Sequence, residues 1–191
     1  MIEMSEKSYA KVNILLKIAD KRDNYHELVS RFVRVHNLYD LMSFVKTSRK
    51  AFDIIGDFGC NLESNTVYKA YRLIEKFNGV NEFFKNYGVK IEKNIPEFAG
   101  LGGGSSNAAT FLIMVNKYCN LNLSKDELCQ IAFRIGADVP FFVYEYDSAN
   151  VTGIGEIVEK FDEEILNIDT ITPNIKCNTG EIFKVFREKF Y

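Results

Sequence analysis

A glycine-rich segment is the part of the sequence best suited to chemistry. Residues 100–109 read GLGGGSSNAA, so four glycines stand within five positions and two serines follow them. Glycine lets a ligand come within contact distance of the main chain. Ala108, Phe111, Leu112 and Val115 then have the spacing of one apolar helix face. A glycine loop that leads into a helix N-terminus offers unpaired N–H groups and partial positive charge, and therefore indicates a phosphate site.

The loop follows neither of the two commonest phosphate-binding patterns. A Walker A loop would end in Gly-Lys-Ser/Thr, and no lysine lies between Lys93 and Lys117. The glycines also miss the spacing of the dinucleotide fingerprint. A flexible turn before an ordinary helix therefore stays open as the alternative. In either case Ser105, Ser106 and Asn107 are expected at the N-cap and first turn of the helix.

A lysine near the N-terminus is the second residue of interest. Residues 8–18 alternate between apolar and polar side chains, which predicts a strand with one buried face. The predicted buried residues are Ala10, Val12, Ile14, Leu16 and Ile18. Lys11 and Asn13 then share the other face, where a lysine is most often only solvated.

A carboxylate follows the second well-marked helix. Ser124 and Glu127 form a capping-box pattern, and Gly136 is a stop signal. Asp138 comes directly after that stop, before a proline and an apolar run that looks like a strand. An aspartate in such a turn often does no more than accept hydrogen bonds from nearby backbone N–H groups.

The remaining elements place the loop between a strand and a helix. Residues 65–77 have helical spacing, and residues 87–91 alternate as a strand that leads to the loop. A break at 20–24 and an apolar run at 28–35 predict a hairpin return. Tyr25 and His26 stand at its start, where they could stack on and hydrogen-bond a flat ring or simply pack.

Composition limits the class of protein. The chain has 191 residues, of which 47% are hydrophobic and 26% charged, with a net charge of -2. These values suit a globular protein of one or two domains and give no reason to expect a nucleic-acid or membrane partner. We expect a cytoplasmic protein with a small-molecule ligand, because neither a signal peptide nor a membrane span is apparent. The four cysteines lack C-x-x-C spacing, which favours reduced thiols over a disulfide framework or a zinc site.

Taken in order, these segments resemble the GHMP small-molecule kinases. KSYAKVNILLKI at 7–18 resembles the first motif of the family, and IPEFAGLGGGSSNAA at 95–109 resembles its ATP-binding second motif. IGADVPFFV at 135–143 is typical of one member, which acts on a cytidine-containing alcohol. NYHEL at 24–28, GIGE at 153–156 and T-x-x-I-F at 179–183 fit the same member.

The resemblance implies roles for the residues that the patterns left open. Asp138 would accept the proton of the substrate hydroxyl, and Lys11 would steady that carboxylate and the developing charge. ATP, accompanied by Mg²⁺, would be held by the loop, and no residue is assigned as a metal ligand. The implied ATP-binding residues are Pro96, Gly100, Leu101, Gly102, Gly103, Gly104, Ser105 and Ser106.

The same resemblance implies the acceptor site. Tyr25, His26, Thr179 and Phe183 would line a cytidine pocket, with Asn13 as a weaker contact. Two alternatives stay open: a kinase of the same family that acts on homoserine or mevalonate, and a nucleotide-binding protein without catalysis.

The expected fold class is α+β. Residues 1–161 would form a GHMP kinase N-terminal domain, which is ribosomal protein S5 domain 2-like, and residues 162–191 would begin an incomplete ferredoxin-like second domain. Phe98 and Ala99 depart from the family, which usually has more glycine there. The chain also stops before the family's third glycine-rich motif, so we expect an exposed apolar surface where the remaining part would pack.

Overall fold

The computed structural model describes residues 4–22, 25–162, 166–173 and 179–190. Within these ranges, the side chains of residues 20–22, 25–26, 179–181, 183, 187 and 190 are not described.

A long antiparallel hairpin forms the centre of the fold. Strand β1 (Ser5–Arg22) pairs with β2 (Tyr25–Lys46) along its whole length, from Ser5 opposite Ser43 to Arg22 opposite Tyr25. The predicted hairpin return is therefore confirmed.

Four shorter strands complete a six-stranded sheet. These are β3 (Ile54–Ile55), β4 (Tyr87–Glu92), β5 (Ser148–Gly153) and β6 (Ile157–Lys160). The strand order is β3-β4-β2-β5-β6, and β1 pairs with β2 outside this path. Because β3 and β4 are parallel while the other pairs are antiparallel, the sheet is mixed.

The helices supply the other half of the core. They are α1 (Thr66–Ile74), α2 (Val80–Phe84), α3 (Gly103–Tyr118), α4 (Lys125–Phe133), α5 (Val139–Tyr144) and α6 (Thr179–Phe190), with a 3₁₀ turn at Leu62–Ser64. The predicted apolar face of α3 is fully buried, and α3 also buries Ala109 and Met114. Aromatic rings dominate this core, where Phe44 meets Phe84 and Phe111 edge to face. No helix among these described residues is long and apolar enough to cross a membrane.

The predicted buried face of β1 is wrong beyond Val12. Ile14 and Leu16 are 47% and 52% exposed, whereas Lys11 on the supposedly polar face is only 4% exposed. Neither face of β1 is fully covered beyond Asn13, since Leu15 is 53% exposed as well, and a register shift between Asn13 and Leu15 leaves Ile14 without a partner on β2. Lys11 is buried by Phe32, Asp138 and the glycine loop. Alternation in the sequence does not show which part of a strand the rest of the protein covers.

Two further predictions, one of a strand and one of a helix start, also need correction. The apolar run after Asp138 is the helix α5 rather than a strand, with Pro140 in its first turn, where the missing N–H costs nothing. A short, wholly apolar run is buried in either form, so periodicity cannot distinguish them. Helix α3 begins at Gly103, with Gly102 as its N-cap, which is earlier than the serines predicted.

Candidate active site

A cleft of about 670 Å³ brings most of the predicted site residues together. Strand β1, the glycine loop and the starts of α1 and α5 surround it, together with residues 58–60. The predicted residues that line the cleft are Lys11, Asn13, Pro96, Gly100, Leu101, Gly102, Gly103, Gly104, Ser105 and Asp138.

Lys11 and Asp138 form an ion pair in the wall of this cleft. Lys11 Nζ lies 3.2 Å from Asp138 Oδ2, and it donates a hydrogen bond of 2.6 Å to Asn13 Oδ1. The ammonium also lies 4.4 Å from the centroid of the Phe32 ring, close enough for a cation–π contact. The lysine side chain is 6% exposed, while that of the aspartate is 35% exposed and open to a ligand.

Asp138 is not used to cap a helix. It occupies the N-cap position of α5, but its side chain makes no capping hydrogen bond. Asp138 therefore does not cap the helix through hydrogen bonds from nearby backbone N–H groups. Its carboxylate is held toward the cleft by Lys11.

Gly102 places the glycine loop close to Lys11. Its φ of +70° lies in the left-handed region that favours glycine. A Cβ at this position would lie 3.0 Å from Phe142 Cζ and 3.1 Å from Lys11 Cγ. The backbone N–H of Lys11 donates a 2.9 Å hydrogen bond to Leu101 O, so strand and loop are joined at the same point.

The start of α3 presents main-chain donors to the cleft. The first hydrogen bond of the helix runs from Ser106 N–H to Gly102 O, at 2.8 Å. The N–H groups of Gly103, Gly104 and Ser105 precede that bond and have no intrahelical partner. They can bind the oxygens of a phosphate group.

Ser106 differs from the other predicted loop residues. It is buried, it does not line the cleft, and its Oγ accepts a hydrogen bond of 2.9 Å from Ser8 Oγ. Both its N–H and its hydroxyl are therefore engaged inside the protein.

The beginning of α1 is fastened to the same loop. Thr66 Oγ1 donates a 2.6 Å hydrogen bond to Gly104 O. Asn65 caps α1 by accepting from Val67 N–H at 2.9 Å. Both residues line the cleft, so two helix N-termini lie beside the glycine loop.

The sequence interpretation missed a buried polar cluster beneath the loop. Its residues, here called the Asp40 network, are Ser8, Asp40, Lys93, Ser106 and Asn107. Asp40 Oδ1 accepts from the N–H groups of Asn94 and Ile95 at 2.7 and 2.8 Å. Asp40 Oδ2 accepts from Asn107 Nδ2 at 2.9 Å and pairs with the ammonium of Lys93.

Hydrogen bonds carry the network on to β1. Lys93 Nζ donates to Asn107 Oδ1 at 3.0 Å, and Asn107 Nδ2 lies 2.9 Å from Ser8 Oγ. An aspartate in an otherwise apolar strand segment, LYDLM, was the one signal in the sequence that could have revealed it.

The opposite wall of the cleft is held by Glu97. Its Oε2 accepts from Gly59 N–H at 2.9 Å, next to Phe58 and Cys60 in the wall. Phe98 follows with a φ of +56°, a conformation that a bulky side chain rarely adopts. Here the chain therefore adopts a glycine-like backbone at a non-glycine residue.

The predicted acceptor residues are only partly described. Asn13 lines the cleft and donates through Nδ2 to Ser30 Oγ at 2.8 Å. The side chains of Tyr25, His26, Thr179 and Phe183 lie outside the described residues, so their roles stay predictions.

The fold and the loop define the class of protein. The family model described as the GHMP kinases N terminal domain matches residues 65–146. A solved 4-(cytidine 5'-diphospho)-2C-methyl-D-erythritol kinase is 32% identical with a TM-score of 0.66, over 82% of this chain and 55% of its own. The mevalonate kinase of Methanococcus jannaschii shares the fold at 13% identity, with a TM-score of 0.59, over 85% of this chain and 56% of its own. The chain has the fold of a GHMP kinase N-terminal domain.

Sequence relatives narrow the class to one enzyme family. The 4-diphosphocytidyl-2-C-methyl-D-erythritol kinase of Sulfurimonas denitrificans is 54% identical over 192 residues, which cover 97% of this chain and 72% of the relative. That of a Sulfurovum species is 47% identical, over 95% of this chain and 71% of the relative. The chain belongs to the 4-diphosphocytidyl-2-C-methyl-D-erythritol kinase family. It spans 71–72% of the length of these relatives and 55% of the solved structure.

Proposed function

We propose that this protein transfers the γ-phosphoryl group of ATP to the 2-hydroxyl of 4-diphosphocytidyl-2-C-methyl-D-erythritol, a step of the non-mevalonate route to isoprenoid precursors. The observation that carries the proposal is the Lys11–Asp138 pair, 3.2 Å apart, in the wall of a cleft that contains the free amides of the α3 N-terminus. Because the phosphoryl donor is ATP, we propose the cytoplasm as its compartment.

Asp138 takes the role of general base in this reaction. The substrate hydroxyl oxygen forms a bond to the γ-phosphorus, the bond from that phosphorus to the bridging oxygen breaks, and ADP leaves. The hydroxyl proton passes to the Asp138 carboxylate, which is the partly exposed acid beside the loop. An alcohol is a weak nucleophile, so a positioned base and an aligned phosphate supply much of the acceleration.

Lys11 orients the base and balances charge. Its ammonium is held by Asn13 Oδ1 and by the ring of Phe32, so it has little freedom to leave Asp138. Fixed positive charge near the transferring group stabilises the transition state without reorganisation during the reaction.

The main chain of the loop binds the phosphates of ATP. The N–H groups of Gly103, Gly104 and Ser105 take the place that a Walker lysine and its loop hold in other nucleotide-binding proteins. The N-terminal end of the α3 dipole adds favourable charge. Pro96, Gly100, Leu101 and Gly102 shape the approach to these donors.

We propose that Mg²⁺ binds together with ATP. No group of three or more His, Cys, Asp or Glu side chains in the described part of the chain could hold a metal ion. Magnesium commonly keeps several waters and binds through substrate phosphates, so it would be held mainly by the phosphates of ATP, with Ser105 of the cleft beside it. When bound, it neutralises charge on the phosphates.

The identity of the acceptor substrate is inferred from the relatives, and its binding site is proposed at the β1–β2 hairpin. We propose that Tyr25 and His26 at the start of β2, with Thr179 and Phe183 of α6, hold the cytidine ring, and that Asn13 contacts the substrate nearer to Lys11. Leu16 and Leu28 line the cleft on the hairpin side, between Asn13 and the end that carries Tyr25.

The domain boundary near Phe161 is a further part of the proposal. Residues 162–191 would begin a second, ferredoxin-like domain. The apolar side chains of Ile171, Ile182 and Val185 in this segment are exposed, so the described residues do not cover them.

Exchange of Asp138 for asparagine separates catalysis from binding. Asp138→Asn keeps the shape of the side chain and removes the base, so turnover falls by about 100- to 10,000-fold while ATP still binds. Equal loss of binding and turnover would show that Asp138 is structural.

Competition by CMP against the acceptor distinguishes the cytidyl substrate from homoserine or mevalonate. A protein that binds ATP without ADP release would be a nucleotide binder only.

A further inference from the structure

Asp40 is completely buried and does not line the cleft, yet it is bound to both sides of the glycine loop. On the side that enters the loop, its Oδ1 accepts from the N–H groups of Asn94 and Ile95. On the side that leaves the loop, its Oδ2 accepts from Asn107 in α3. One carboxylate therefore fixes the distance between the two ends of the loop.

The residues bound by Asp40 press directly on the first residue of α3. A Cβ built on Gly103 would lie 3.0 Å from Ile95 Cγ2 and 3.5 Å from Lys93 Nζ. The backbone of Gly103 therefore lies against two residues whose positions Asp40 determines. A displacement of either residue changes the place of the first free amide of the helix.

The buried charge of Asp40 constrains how the residues of the Asp40 network can be arranged. A buried carboxylate is strongly unfavourable unless its oxygens are paired and hydrogen-bonded. Asp40 has four donors, namely two backbone amides, one side-chain amide and one ammonium. Because these donors come from both sides of the loop, namely the segment 93–95 and Asn107 of α3, movement of either loop end would break at least one of these bonds.

We propose that Asp40 is a positioning residue for nucleotide binding: it holds the start of α3 against the segment 93–95, so that the amides of Gly103, Gly104 and Ser105 are fixed for the phosphates. This inference rests on the proposed binding of ATP at the glycine loop. Asp40 touches no substrate and acts only through the residues that it orders.

Two substitutions cut the network at different points. Asp40→Asn keeps the size of the side chain but replaces the oxygen that faces Lys93 and Asn107 with a donor. Asn107→Ala cuts the network from the helix side and leaves the Asp40–Lys93 ion pair in place. Phe84→Leu is the matched control, because Phe84 is buried in the main core against Phe44 and Phe111 and does not line the cleft.

The measurements are titration of each variant with ATP and with ADP, unfolding temperature, and steady-state kinetics with both substrates. We expect Asp40→Asn and Asn107→Ala to weaken ATP binding by about 10- to 100-fold, since small displacements of a binding group have effects of this size. The KM for ATP rises accordingly, while the KM for the acceptor stays within about twofold. Phe84→Leu lowers the unfolding temperature and leaves both KM values unchanged.

The proposal is overturned if either network variant binds ATP as the wild type does. It is also overturned if all three variants lose affinity for both substrates in proportion to their lost stability. If Asp40→Asn fails to fold, Ser8→Ala decides, since Ser8 accepts from Asn107 Nδ2, carries no charge and does not line the cleft; the same loss of ATP affinity is expected. ATP and ADP titrations need no acceptor, so a failure of the proposed acceptor leaves this test intact, whereas wild-type protein that binds no ATP contradicts both proposals.

Discussion

Lys11 Nζ lies 3.2 Å from Asp138 Oδ2, although one residue lies on the first strand and the other follows α4. The two are brought together because Lys11 is turned inward on β1 and α5 packs beside it, with Phe141 against Phe32 beneath the ammonium. The glycine loop contacts the same lysine through Gly102. The carboxylate, the ammonium and the start of the glycine loop therefore form one unit.

Substitution of Lys11 tests whether the pair acts as that unit. Lys11→Met keeps most of the stem and removes the charge, and we expect kcat to fall by about 100-fold or more. The double variant with Asp138→Asn should be little slower than the slower single variant, because groups that act together are not additive. Rate constants of the three variants measure this, and fully multiplicative losses would contradict it.

Alanine at two glycines separates backbone strain from contact with the site. Gly102→Ala and Gly100→Ala both force alanine into a left-handed conformation, at φ of +70° and +72°, which costs about 1 kcal/mol. Only at Gly102 would the new Cβ meet Lys11 and Phe142; at Gly100 no atom lies within 4 Å. We expect similar losses in the free energy of unfolding but a large fall in kcat for Gly102→Ala alone. Equal kinetics in the two variants would show that the close approach has no catalytic importance.

Thiol labelling reports on occupation of the cleft. Cys60 is exposed and lines the cleft, whereas burial raises the pKa values of Cys119 and Cys129 to about 11. In a Cys177→Ser background at pH 8, we expect iodoacetamide to modify Cys60 first and the partly buried Cys119 and buried Cys129 much more slowly, since the thiolate is the reactive form. ATP should slow the labelling of Cys60, as followed by mass spectrometry. Labelling at an unchanged rate with saturating ATP would place the nucleotide elsewhere.

The capping box of α4 gives a pH-dependent contribution to stability. Hydrogen bonds from the Ser124 backbone and hydroxyl lower the pKa of Glu127 below its ordinary value of 4.5. A lowered folded pKa stabilises the protein above pH 4.5, and this contribution is lost as the pH falls through the folded value. Ser124→Ala should cost about 1 kcal/mol at pH 7. Denaturant unfolding should show that the variant and the wild type differ less in their free energy of unfolding at pH 3 than at pH 7. An equal difference at both pH values would show that the ionised Glu127 carboxylate does not contribute to the cap.

The sequence predicts the parts of the site that follow from local chemistry. These parts depend on residues that are neighbours in the chain. The structure confirms the helix after the glycine loop at 100–104, the Ser124 cap and the hairpin. The identity of Lys11 and Asp138 as partners came from the resemblance to a family, since nothing local links two residues so far apart in the chain.

The errors arise where tertiary packing determines the outcome. Lys11 is buried by Asp138, Phe32 and the glycine loop, and no residue type in β1 signals these distant contacts. Burial of the whole of 139–143 lets either a strand or a helix form, and packing of α5 on α3 and α4 selects the helix. Asp40 is visible only as a charge in an apolar strand, because its partners come from two distant segments, 93–95 and α3.

The most direct measurement is ADP release by this chain with Mg²⁺, ATP and 4-diphosphocytidyl-2-C-methyl-D-erythritol, with homoserine and mevalonate in parallel and Asp138→Asn as the control. We expect ADP release with the cytidyl substrate alone and its loss in Asp138→Asn. Release with homoserine or mevalonate instead, or equal release by Asp138→Asn, would contradict this expectation.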